Sequence, residues 1–358
     1  MNKFQAFKET LSAESLKAIY DETRLEVAND EREGTEAFSA ALGLSTLLKN
    51  TITGSMKTTN KPSKGFTVTL KNPFEELTVK ALLEEQLLIP RKIRHFLRTK
   101  KHVLINGHPV NWQSCVKYGD QVKLFFDHED YPEKIIVMGQ AEKVTCLYED
   151  EHIIIVNKPE GMKTHGNDPT ELALLNHVSA YTGQTCYVVH RLDKETSGAI
   201  LFAKTPFILP ILNRLLEKRD IHREYLALVH GSLDSPRVTY HHPIGRHRHD
   251  RRKRVVDPIN GKKAITEVTL VKNFHKTASL LNCQLQTGRT HQIRVHLAHQ
   301  GHVLFGDPLY SNGKKDCARL MLHAYQLRLK HPLTQEDICV QAKSATFDAV
   351  LNAQKARK

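Results

Sequence analysis

The chain has 358 residues, 40% hydrophobic and 25% charged, which suits a globular protein of two or three domains with a substantial core. Its 52 Lys and Arg against 39 Asp and Glu give a formal charge of +13, a field that favours a polyanion, with nucleic acid the first candidate. No run of roughly eighteen apolar residues and no charged-then-apolar leader occurs, so neither a membrane span nor secretion is expected and the location expected is cytoplasmic.

The first fifty residues hold six Lys/Arg against nine Asp/Glu, so the positive excess sits in the remainder, 46 basic against 30 acidic. Residues 1–55 are predicted to be a helical extension, with Phe4, Phe7, Leu11, Leu16, Ile19 and Tyr20 at helical spacings. Residues 56–71 read as a linker continuing a Thr-, Ser- and Lys-rich stretch, and Met56 within it is an alternative start. The six cysteines are scattered without a Cys-x-x-Cys pair, so neither a zinc cluster nor a disulfide framework is expected.

Residues 72–136 form a predicted small α/β unit. Leu77, Ala81 and Leu82 mark one helix, and a second begins near Pro90. A strand, an Asn106-Gly107 turn and another strand follow, and Gly119-Asp120 turns into the alternating Gln121–Phe126. Arg91, Lys92, Arg94, Arg98, Lys100 and Lys101 crowd the second helix and its exit with no acidic residue among them. They read either as a solvated helix face or as an RNA-binding surface. The unit resembles the RNA-binding domain first known from the ribosomal protein S-four, which implies docking on folded RNA through phosphates, without reading bases.

Residues 141–358 form the larger predicted unit. Ile153–Val156 is a continuous apolar run suited to a buried strand, ended by Asn157-Lys158-Pro159-Glu160-Gly161. Val188-Val189 enters another strand, and Thr196-Ser197-Gly198 is predicted to turn, which leaves His190-Arg191-Leu192-Asp193 at a strand end. If the backbone stays extended there, Arg191 and Asp193 face the same way, as a structural ion pair or as part of a site. Gly198–Lys204 and Arg223–Gly231 read as strands around a helix at 207–219, and Tyr225, Ala227 and Val229 share a face. The segment His241–Lys263 carries eight Arg/Lys and four histidines, without metal-ligand spacing. In Thr287-Gly288-Arg289-Thr290-His291-Gln292-Ile293-Arg294-Val295-His296-Leu297, Thr290 is the expected N-cap of a helix that Gly301 ends.

The string His190-Arg191-Leu192-Asp193-Lys194-Glu195-Thr196-Ser197-Gly198 resembles the signature of the RluA-type pseudouridine synthases. The stretches around Lys158, Tyr225, Arg289–Leu297, Gly306–Tyr310 and Arg319–Ala324 resemble that family's other segments. The resemblance implies an α+β pseudouridine synthase fold: a mixed, largely antiparallel sheet with a central cleft and flanking helices. It also implies an isomerase that converts uridine to pseudouridine after flipping the base. Asp193 would be the nucleophile, Arg294 its ion-pair partner and Tyr225 an active-site tyrosine. Arg191 would help replace the extruded uridine in the stack, and Arg289 would contact RNA. Isomerisation needs no cofactor or metal, in keeping with a sequence that lacks a phosphate loop and a dinucleotide fingerprint.

Large-subunit ribosomal RNA is the favoured partner and transfer RNA the runner-up, with the protein acting as a monomer. A non-catalytic RNA-binding or ribosome-assembly role, and a glycosidase using Asp193 with Glu195, are the alternatives.

Overall fold

The computed structural model describes residues 65–356, apart from 132, 133, 135, 169, 275, 276, 314 and 315. The helical extension expected over 1–55, the alternative start at Met56 and the first part of the linker lie outside the described residues. The rest of the linker is a correction, because Phe66–Lys71 is a strand paired antiparallel along its whole length with Gln121–Phe126. Phe66, Val68 and Leu70 alternate with Thr67, Thr69 and Lys71, so the apolar side chains face one way. The threonines and lysine on the outer face disguised the strand as polar linker.

The small sheet is completed by Val103–Ile105 and His108–Pro109, with Gln121–Phe126 at its centre. Against it pack the helical turn Val79–Ala81, continuing as a π-helical turn Leu82–Gln86, and the helix Arg91–Thr99. Ile93 and Leu97, one turn apart, are the buried positions of that helix.

The large sheet runs Arg237–Tyr240, Thr266–Phe274, Ala278–Leu285, Ile221–His230, Leu322–Lys330, Ser197–Ala203, Ile153–Lys158 and Cys146–Glu149 in spatial order. Tyr187–Val188 and Asp337–Gln341 pair alongside. All its pairings are antiparallel except the central one, where Ser197 and Gly198 lie parallel to His323 and Ala324. The architecture is α+β with a mixed, mainly antiparallel sheet.

Apolar clusters cover both faces of this sheet, which explains the unbroken run Ile153–Val156. Ile153 and Ile155 point into the cluster shared with the small sheet, and Ile154 and Val156 into the one beneath the helices Leu174–Thr182 and Gln292–His299. The first cluster is continuous across the two sheets. Phe126 packs on Phe207 with ring centroids 5.7 Å apart, and Arg214 donates to the carbonyls of Glu85 and Gln86 at the end of the π-helical turn.

The predicted turn at Thr196–Gly198 is a second correction, since Ser197 already opens the strand Ser197–Ala203. Gly198 sits there at φ 118°, and a Cβ at this position would lie 2.2 Å from the Ala324 carbonyl oxygen. Only glycine permits that approach. Gly198→Ala is expected to lose on the order of 3 kcal/mol in urea unfolding, from overpacking and backbone strain together. A loss under ~0.5 kcal/mol, the ordinary surface value, would contradict this.

Candidate active site

Asp193 lies on the loop between Tyr187–Val188 and Ser197–Ala203, and the loop is pinned on both sides of it. Thr164 Oγ1 donates to the Leu192 carbonyl at 2.9 Å and accepts from the Leu192 amide at 3.2 Å. Lys158, fully buried, donates to the Lys194 carbonyl at 3.1 Å and to those of Met162 and Pro159 at 2.7 and 3.0 Å. Burial pushes the Lys158 ammonium down to about 8, against the opposing pull of Asp193, Glu195 and Glu160. Sequence reasoning noted the segment around Lys158 but gave neither Lys158 nor Thr164 a role. Nothing local reveals hydrogen bonds to a loop that lies 28 to 36 residues away in the chain.

The Asp193 carboxylate faces Arg294, whose Nη1 lies 3.3 Å from its Oδ2. Arg294 is wholly buried on the helix Gln292–His299, and its other edge makes a two-pronged pair with Asp307. Nε donates to Oδ2 at 2.8 Å and Nη2 to Oδ1 at 2.7 Å. Asp307 Oδ1 also accepts the amides of Leu309 and Tyr310 at 2.9 and 3.1 Å, and the Tyr310 ring lies 5.3 Å from the guanidinium carbon. Burial works against the charge on Arg294, but the hydrogen bond and charge of Asp307, with those of Asp193, hold its pKa above the ordinary arginine value. Asp307 is therefore the carboxylate that locks the guanidinium. Sequence reasoning quoted Asp307 only as part of a matching segment; the Asp-Pro-Leu-Tyr turn that gathers two amides onto one oxygen was the available signal.

His291 Nε2 is 3.8 Å from Asp193 Oδ2, and its Nδ1 is 3.0 Å from the Tyr310 hydroxyl. His291, at φ 57°, caps the helix in place of the expected Thr290, and no side chain bonds the helix start. Arg191 is also a correction. No strand continues through 191–193, and the groups placed against Asp193 are Arg294 and His291. Glu195 approaches the same Arg294 nitrogen at 3.9 Å, with its side chain 38% exposed.

Tyr225 reaches the site from Ile221–His230 at a register shift between Glu224 and Tyr225, where the strand pairs with Leu322–Lys330. Such a bulge turns a side chain out of the regular alternation. Burial, and more weakly Asp193, raises the Tyr225 pKa despite the lowering effect of Arg223, so the phenol stays protonated at neutral pH.

Asp193, Tyr225, Arg294, Arg191 and Arg289 line one small, open space of about 50 Å³. It shares Arg191, Asp193, Tyr225 and Arg289 with a cleft of about 710 Å³, whose walls add His190, Arg219 and Arg223. Arg191 and Arg289 are exposed at its edge, and Arg289 Nε donates to the Lys263 carbonyl at 3.0 Å. The structure thus gathers these five predicted site residues at the centre of the large sheet.

Residues 152–299 match the RNA pseudouridylate synthase family, and residues 66–122 match the RluD ribosomal pseudouridine synthase N-terminal domain. The uncharacterized RNA pseudouridine synthase YhcT of Bacillus subtilis (strain 168) is 36% identical over 290 residues, 79% of this chain and 95% of that one. The chain belongs to the RNA pseudouridine synthases. Two further relatives are the uncharacterized RNA pseudouridine synthase YjbO of B. subtilis, 36% identical over 65% of this chain and 83% of that one, and a Nitrosomonas europaea protein. The latter, ribosomal large subunit pseudouridine synthase D, is 43% identical over 54% of this chain and 60% of its own.

The synthase carries the other predicted site residues on its small unit, along Arg91–Thr99 and its exit. Arg91, Lys92, Arg98, Lys100 and Lys101 are exposed, but acids from outside the segment neutralise two of the six cations. Arg94 pairs with Glu84 and Lys100 with Asp127. The basic segment 241–263 contains a hairpin of Ile244–Arg246 with Arg254–Val256. Among the described residues no group of three or more His, Cys, Asp or Glu is arranged to hold a metal, and no helix is long and apolar enough to cross a membrane.

Burial keeps His152, His190, His291, His296, His323 and His331 below the ordinary histidine pKa, and His190 is pushed down to about 3. Each is neutral in the fold but binds a proton in the unfolded chain near pH ~6.5. The contribution of these histidines to stability is therefore fully present above that pH and is lost as the pH falls below it. Urea unfolding between neutral and mildly acidic pH should show this decline. His190→Gln should flatten it by roughly 1.4 kcal/mol per pH unit, one proton's contribution. An unchanged slope would contradict the burial of a neutral imidazole at 190.

Proposed function

We propose that this synthase isomerises uridine to pseudouridine at sites in large-subunit ribosomal RNA, with Asp193 as the nucleophile. The carrying observation is that the Asp193 carboxylate is aimed by a buried, doubly anchored arginine yet keeps 23% of its side chain exposed. It is both fixed and reachable, as a nucleophile at the ribose or the base must be. In the reaction the bond from ribose C1′ to base N1 breaks and one from C1′ to C5 forms. The C5 proton leaves and N1 gains one, so no electron is exchanged.

The chain's residues divide that work. Arg294 directs Asp193 along its free edge. Tyr225, a neutral phenol, packs against the flipped base; its raised pKa suits this role better than that of a proton-accepting phenolate. The small space beside Asp193 shares Arg191, Asp193, Tyr225 and Arg289 with the wider cleft, and the uridine enters from that cleft past the exposed Arg191 and Arg289. Arg191 then fills the gap in the RNA stack, and the exposed cations of the small unit hold the RNA backbone. The ribosomal target is supported by the match to the RluD N-terminal domain and by the name of the N. europaea relative.

Chemical mapping of pseudouridine in total cellular RNA from wild-type, deletion and Asp193→Asn strains tests this reading. Ribosomal sites absent from both altered strains are expected. Sites lost in the deletion but kept with Asp193→Asn would overturn the nucleophile, and sites lost only from transfer RNA would overturn the target.

A further inference from the structure

The small unit carries a pocket of about 440 Å³ remote in sequence from Asp193, and its wall includes Trp112, the chain's single tryptophan. Trp112 is partly exposed, and its ring also packs on the core of the unit. Its backbone is held firmly. The Trp112 carbonyl accepts the Lys80 amide at 3.1 Å, the Ser114 carbonyl accepts the Val79 amide at 2.9 Å, and Asn111 and Ser114 close a tight turn between them. With its backbone tied and its side chain packed on the core, Trp112 leaves a partly exposed aromatic surface at the start of the helical turn Val79–Ala81.

Basic side chains surround it. Arg91, His95 and Arg98 recur at the spacing of one helix face, all exposed, while Ile93 and Leu97 turn into the core. Arg94 is paired with Glu84, and its buried Nε has no protein hydrogen-bond partner. Helical RNA backbone requires only the charges. An aromatic face set among them matches a ligand that carries both an anion and a flat ring, which is an unpaired nucleotide.

We propose that this pocket binds an unpaired nucleotide of the RNA, its base stacked on Trp112 and its flanking phosphates on Arg91 and Arg98. The proposal rests on the protein's acting on RNA but not on the chemistry at Asp193. It gives the small unit a preference for loops or bulges over plain duplex, beyond the phosphate docking expected from its sequence.

The test uses the full chain and two probes: a synthetic RNA hairpin with an unpaired loop and a blunt RNA duplex of equal length. Tryptophan emission reports Trp112 alone, and anisotropy of labelled RNA reports affinity. The hairpin should quench the emission and the duplex should not. Trp112→Phe should bind the hairpin within about twofold of the parent, because it keeps an aromatic face. Trp112→Leu should weaken hairpin binding about tenfold and leave duplex binding unchanged.

Should circular dichroism show that Trp112→Leu is unfolded, Arg91→Gln and Arg98→Gln, both at exposed positions, carry the test. Each should weaken hairpin binding and lower its salt slope by about one. Hairpin binding without quenching, equal weakening of hairpin and duplex by Trp112→Leu, unchanged hairpin binding by both arginine variants, or equal quenching by polyglutamate would overturn the proposal. Because these readouts measure binding, they stand apart from the pseudouridine maps that test the nucleophile and target.

Discussion

A guanidinium with no exposed surface is the constraint on which the site depends. A buried arginine cannot shed its proton, so the fold must surround it with acceptors. Asp307 supplies two oxygens to one edge and is itself fixed by two backbone amides. Tyr310 closes one face, and only Nη1 is left to meet Asp193. The direction of the proposed nucleophile is thus inherited from a carboxylate more than a hundred residues further along the chain.

The backbone around this pair is equally determined. The Asp193 loop ends where the large sheet changes from antiparallel to parallel pairing, at Ser197 and Gly198. That seam brings Ala324 against Gly198 too closely for any side chain. Arg319 ties it further, donating to Ser197 Oγ at 2.7 Å and to Glu160 at 3.0 Å, while His323 Nδ1 lies 2.8 Å from the same Ser197 oxygen. On the neighbouring strand, a register shift delivers Tyr225. The Asp193 loop and the Tyr225 bulge line the same cleft, and the seam begins where that loop ends.

Much of this was legible from the chain. Strands read from an apolar run at 153–156 and from alternation at 223–231 are present as Ile153–Lys158 and Ile221–His230, and the segments bearing Asp193, Tyr225 and Arg294 do converge. What escaped has physical causes. Phe66–Lys71 alternates correctly, but its outer face is threonine and lysine in a polar neighbourhood. The expectation that Arg191 and Asp193 face the same way depends on an extended backbone, and the chain there is a loop. The six cations of Arg91–Lys101 looked unopposed because Glu84 and Asp127, which neutralise two of them, lie outside the segment. The locking role of Asp307 and the loop-pinning roles of Lys158 and Thr164 are tertiary facts, and local periodicity carries no trace of them.

The most direct measurement of the account is the single-turnover rate of pseudouridine formation by Asp307→Asn, at saturating concentration of an RNA that the wild-type synthase modifies. Asparagine keeps the shape at 307 and removes the charge that anchors Arg294. If the guanidinium aims Asp193 as described, the rate falls by about 10²-fold, the cost of a small misplacement, while RNA affinity and the circular dichroism spectrum stay unchanged. A wild-type rate from a folded Asp307→Asn protein would contradict the claim that Asp307, through Arg294, directs Asp193.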